Sequence, residues 1–80
     1  MVLRTISGRP GDWLSPDEVA DALGISWGDA LPGMSTLKDR GYAENYGDMV
    51  FASGARYVEL TASWRHRVTA AGIAKVREIE

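Results

Sequence analysis

The run Leu14-Ser-Pro-Asp-Glu-Val-Ala-Asp-Ala-Leu-Gly-Ile-Ser26 decides the reading of this 80-residue chain. Ser15 is an N-cap, because its hydroxyl can accept from the free amides of a first helical turn. Pro16 takes the first helical position, where a missing N–H costs nothing. Glu18, three residues after Ser15, completes a capping box, and with Asp17 it puts negative charge at the positive end of the helix dipole. Val19, Ala22 and Leu23 share an apolar face at helical spacing, with Asp17, Glu18 and Asp21 largely off it. Gly24 stops the helix in the left-handed conformation that glycine adopts cheaply, and Ile25 is placed to fold back onto the apolar stripe. Leu14, just before the cap, is placed to staple onto Val19 or its neighbours.

Downstream, Ser26 can cap a second helix, and two readings compete for Trp27-Gly-Asp-Ala-Leu-Pro-Gly33. Either a short turn at 27–31 precedes a helix beginning near Pro32, or one helix runs through a kink. The first is favoured, since Pro32 would then occupy an early helical position and Gly33 would not interrupt a helix interior. Leu31, Met34 and Leu37 follow i, i+3 spacing with Lys38 reaching outward. Arg40 ends the helix and Gly41 caps it. Upstream, Val2, Leu3 and Ile6 mark about two helical turns. Gly8-Arg-Pro-Gly-Asp12 is a loop, and Trp13 reads as a core or edge-packing residue.

From Tyr42 the period changes. Tyr42, Glu44 and Tyr46 alternate with Ala43 and Asn45, Gly47-Asp48 reads as a turn, and Met49-Val-Phe-Ala-Ser53 is a short β-prone run. Gly54-Ala55 is a second turn. Arg56-Tyr-Val-Glu-Leu-Thr61 alternates best, with Val58 and Leu60 on one face. After a break at Ala62-Ser63, Trp64, His66 and Val68 alternate with Arg65, Arg67 and Thr69. These segments predict a twisted antiparallel sheet of two to four short strands. Thr69 then caps a helix from Ala70 to about Ile79, with Ile73, Val76 and Ile79 as its stripe.

Eighty residues with 45% hydrophobic content fit one domain, 1–80, with one modest core. No apolar run approaches a membrane span, the N-terminus is too short and polar for a signal peptide, and a cytoplasmic location is the default expectation. The absence of cysteine excludes a disulfide framework and a cysteine-based zinc site. Net charge is −2, which argues against a strong non-specific polyanion binder. The charge is uneven, with Asp17, Glu18, Asp21 and Asp29 but no basic residue in 15–30, and Arg56, Arg65 and Arg67 against Glu59 in 49–69.

Three helices, a β-hairpin region and a C-terminal helix form the order of a winged helix-turn-helix domain. Leu14 to Ser26 resembles the second helix and turn of that superfamily. Leu37-Lys-Asp-Arg-Gly-Tyr-Ala-Glu44 is similar to the end of its recognition helix and the entry to its first wing strand. The distance from Ser26 to Gly41 fits the MarR-like pattern without a gap, and Val68-Thr-Ala-Ala-Gly72 resembles the segment where the last wing strand enters the next helix. The resemblance implies an α+β winged helix-turn-helix fold with three N-terminal helices, an antiparallel β wing and a C-terminal helix. Its functional implication is weaker, because winged helices serve many roles. Two departures stand out. Positions expected to face a DNA major groove hold Asp29, Leu31, Pro32 and Gly33, and the region from Tyr42 to Thr69 is longer than a minimal wing.

The chain offers no catalytic constellation, no cofactor motif and no metal-ligand set, so it reads as a non-enzyme. Its one histidine, His66, alternates with apolar residues and reads as a packed or edge residue. For double-stranded DNA the useful residues are Ser35, Thr36 and Lys38 on the second helix and Arg56, Arg65 and Arg67 in the β region. Hydroxyls can donate to phosphate, cations neutralise it, and a wing arginine can enter the minor groove. Trp27, Tyr46 and Trp64 are aromatic candidates for an interface, with core packing favoured for Trp64. The leading expectation is a small transcriptional regulator that places the helix near 32–40 in a major groove, with a homodimer on a two-fold site; the C-terminal helix, with Ile73, Val76 and Ile79, either forms the dimer surface or packs against the chain's own first helix. The competing expectation is a winged helix that binds a protein partner, such as a phage or mobile-element factor engaging a host protein, and no nucleic acid. Net acidity, Asp29 and Pro32-Gly33 favour it.

Overall fold

The computed structural model describes residues 2–54, 56, 59 and 63–79, which form an α+β fold of five helices and a two-stranded antiparallel sheet. The order is α1 (Val2–Ser7), α2 (Pro16–Leu23), α3 (Trp27–Asp39), β1 (Ala43–Asn45), α4 (Tyr46–Ala52), β2 (His66–Val68) and α5 (Ala70–Ile79).

Helix α2 begins as its cap dictates. Ser15 Oγ accepts from the Glu18 amide, and the Glu18 carboxylate accepts from the Ser15 amide, both at 3.2 Å. Gly24 ends it at φ 67°. The buried side is Pro16, Val19 and Ala20, with Leu23 packed at its edge, whereas Ala22 is exposed. The stripe is thus rotated from the expected Val19–Ala22–Leu23 face. The Ile25 amide closes the turn onto Ala20 O, but the Ile25 side chain stays 39% exposed rather than folding onto the stripe.

The expected break at 27–31 is absent. Helix α3 starts at Trp27, capped by Ser26 Oγ on the Asp29 amide, and continues through Pro32 to Asp39. An interior proline costs about 3 kcal/mol. Burial of Ala30 and Met34, with Leu37 against the same core, offsets that cost because a helix beginning at Pro32 would lose the first of these anchors. Gly41, at φ 80°, turns the chain into β1.

Strand β1 pairs antiparallel with β2, aligning Ala43 with Val68, Glu44 with Arg67 and Asn45 with His66. On the other side of β2, Leu14 exchanges two backbone hydrogen bonds of 2.9 Å with His66. The last strand therefore lies between Leu14 and β1. The core is Leu3, Ile6, Leu14, Val19, Ala20, Ala30, Met34, Ala43, Val68 and Val76, and α5 packs on α1.

The turn at Gly47-Asp48 and the β-prone run from Met49 to Ala52 are instead parts of one helix, α4, with Ser53 as its C-cap. Asn45 Oδ1 accepts from the Asp48 amide at 3.1 Å and nucleates it. Of the expected strand Arg56–Thr61, residues 57, 58, 60 and 61 lie outside the described residues, as do Ala55 of the preceding turn and Ala62 of the following break. The expected strand Trp64–Thr69 is confined to His66–Val68.

Thr69 starts α5 as expected, accepting from the Gly72 amide at 3.1 Å. Its hydroxyl also donates to Gly41 O at 2.7 Å, while its own amide donates to Tyr42 O. The corner leaving α3 and the corner entering α5 therefore share one residue. At this joint a Cβ on Gly72 would collide with the Tyr42 carbonyl oxygen and lie 2.8 Å from Val68 Cγ2. In an open helix Gly→Ala stabilises, but here the obstacle is backbone. Gly72→Ala is expected to destabilise the protein by about 1–3 kcal/mol in urea unfolding, the range for overpacked sites. An unchanged midpoint would show that the corners are not in contact.

Candidate functional site

The face of α3 opposite the core decides what the helix pair can touch. Helical periodicity sets Gly28, Pro32, Ser35 and Asp39 on one line, and all four are exposed. Ser35 lies on this face as expected. Thr36 is exposed beside it, but its hydroxyl donates to Pro32 O at 2.9 Å within the helix. Lys38 projects to the side, where its ammonium lies 2.6 Å from the Asp48 carboxylate of α4. That hydrogen bond holds the Lys38 ammonium above its ordinary pKa against slight desolvation. The neighbouring helix α2 exposes Asp17 and Asp21, and the first turn of α3 exposes Asp29. Residues 10–37 contain no Lys, Arg or His.

The arginines of the β region divide into two kinds. Arg67 faces Glu44 across the strand pair, with Nη2 at 2.9 Å and Nε at 3.3 Å from the carboxylate. Its guanidinium carbon sits 4.4 Å from the centroid of the Trp13 ring, and Trp13 meets Tyr46 edge-on at 5.2 Å. Arg67 is thus neutralised and clamped at the edge of the sheet, a structural role the sequence did not suggest. Arg56 and Arg65 are exposed and form no ion pair with another described residue. The six polar residues expected to meet DNA are therefore not gathered into one basic surface.

His66 holds these pieces in place. Its side chain is 1% exposed. Its Nδ1 lies 2.9 Å from the Trp64 carbonyl, which fixes the proton on Nδ1, and Nε2 is left to accept from the Asn45 amide nitrogen at 3.4 Å. The same Asn45 nitrogen donates to Ser63 O, and its oxygen caps α4. Asn45 was missed in the sequence because it sits within an alternating run. Its spacing to Asp48, an Asn cap with an acidic residue in the first turn, is the signal that would have found α4. Trp64 packs edge-on to Trp27 at 5.4 Å, and Trp27 remains 38% exposed.

Among the described residues no group of His, Asp or Glu is arranged to hold a metal ion, and no helix is long and apolar enough to cross a membrane. Comparison with known proteins finds no matching family model, no matching curated protein and no matching solved structure.

Burial pushes the His66 imidazole below its ordinary pKa of 6.5, and the Lys38 ammonium pushes it the same way, with the Trp64 carbonyl and Asp48 opposing. The unfolded chain therefore binds a proton that the folded chain refuses. Stability contributed by neutral His66 is present above pH 6.5 and declines as pH falls below that value towards the lowered one. In His66→Gln this part of the pH dependence should disappear from denaturation curves collected between pH 7 and 5. Retention of the same slope would assign it to other groups.

Proposed function

We propose that the chain is a winged helix-turn-helix domain that binds a basic surface of a protein partner through the outer face of its helix pair. The fold assignment rests on the placement of Leu14 against β2. A residue between the first two helices pairs with the last strand, which in turn pairs with the strand after the third helix. With the three-residue turn Gly24-Ile25-Ser26, this order of elements supports the winged-helix reading, in which α4 would start the wing.

The observation that carries the functional reading is the charge of that helix pair. A helix seated in a DNA groove lies among phosphates and needs cations at or beside it. Here the outer face presents Asp39 with Gly28, Pro32 and Ser35, flanked by Asp17, Asp21 and Asp29, and Lys38 is bound to Asp48. Such a surface repels duplex DNA and complements Lys and Arg on a protein. The half-exposed Trp27 at the start of α3 adds the kind of aromatic anchor that protein interfaces favour. Exposed Arg56 and Arg65 favour a second reading, in which the wing alone touches a DNA backbone.

Binding to random-sequence duplex DNA, followed by fluorescence anisotropy, separates the two. At about 50 mM salt and micromolar protein the wild type should show no binding, because the outer face of the helix pair presents no cation free to neutralise phosphate. Asp29→Arg with Asp39→Arg should create affinity that falls as salt rises. Salt-dependent binding by the wild type that is lost in Arg56→Ala with Arg65→Ala would overturn the protein-partner reading and establish the wing reading.

A further inference from the structure

Behind the outer face of α3, helices α1, α3 and α5 enclose a groove of about 410 Å³. The volume lies within the range of about 300–1,000 Å³ typical of small-ligand clefts. Its apolar walls are mostly aliphatic, from Val2, Leu3, Leu37 and Ile79, with Tyr42 the one aromatic residue among those described. Ile79 is 52% exposed, so part of this wall stands uncovered. Arg40 and Lys75 also line the groove, and no Asp or Glu does among the described residues. Arg40 is exposed and forms no ion pair with another described residue, and Lys75 reaches only Glu78, at 3.5 Å. The described lining is therefore apolar and cationic, in contrast to the acidic outer face of α3.

We propose that this groove binds an organic anion with an aliphatic tail, of the chemical class of medium-chain fatty acids. The guanidinium of Arg40 takes the carboxylate through paired N–H donors, and the Lys75 ammonium supplies a second charge from α5. The tail lies along Val2, Leu37 and Ile79 and removes their apolar surface from water. The Thr36 hydroxyl, which also borders the groove, is committed to Pro32 O and is not a donor to the ligand. This site is independent of the partner surface on the outer face of α3.

Octanoate and octan-1-ol, which differ only in the charged head, test the proposal in amide chemical-shift titrations of the full chain. Octanoate should give saturable shifts centred on Val2, Gly33, Leu37 and Ile79. Octan-1-ol should bind about tenfold more weakly, the size of one lost charge-assisted hydrogen bond. Arg40→Gln with Lys75→Gln should bring octanoate down to the level of octan-1-ol, while Ile79→Ser, a change at an exposed position, should weaken both. Shifts that are absent or scattered outside the groove would overturn the proposal. So would equal affinity for the two probes, or unchanged octanoate affinity in the Arg40 and Lys75 variant. A circular dichroism spectrum matching wild type establishes that each variant is folded.

Discussion

The buried imidazole of His66 is the constraint on which the β side of this protein depends. Its backbone is shared between Leu14 and the β1 partner strand, so it joins the start of α2 to the strand that follows α3. Its ring accepts from Asn45, and Asn45 in turn caps α4 and holds Ser63. Burying a neutral imidazole is tolerable because both ring nitrogens have partners in one tautomer. Burial is what makes the site resist charge, and a protonated ring would also need a second acceptor where Asn45 offers a donor.

Charge is organised around this centre in a way that formal counts conceal. Glu44 neutralises Arg67 and Asp48 neutralises Lys38, so two of the cations nearest the strand pair are internal to the fold. The Arg9 guanidinium is likewise paired, with Asp12 and Glu18. The α2–α3 pair is left with its carboxylates, and the groove side with Arg40 and Lys75. A net charge of −2 thus divides into two opposed faces. Exposed pairs such as these add little stability, so their effect is on what the surface attracts.

Legibility in the sequence followed how local each determinant is. The cap at Ser15, the stop at Gly24 and the cap at Thr69 are contained within a few residues, and the structure places them as read. Helix α3 was read as broken because Pro32 and Gly33 are local penalties, whereas the burial of Ala30 and Met34 that outweighs them is tertiary. Gly33 even has a positive use, since it lets Val2 of α1 approach to 3.0 Å of where a Cβ would stand. Gly47-Asp48 reads as a turn and Met49–Ser53 as a β-prone run from local composition, and the residue that makes 46–52 helical, Asn45, belongs in the sequence to an alternation. At the candidate site, Ser35, Arg56 and Arg65 are exposed as expected. Lys38 and Arg67 are not available, because their partners lie 10 and 23 residues away in sequence.

The hydroxyl of Thr69 gives the fold a mechanical property. It accepts from one chain segment and donates to another, so the exits of α3 and β2 are bolted together at a single point. Neither corner can hinge while the other stays put, and the contact of Gly72 with Tyr42 O leaves no slack for sliding. The end of α3, both strands and the start of α5 are therefore tied together through Thr69, the Tyr42 carbonyl and the strand pairing.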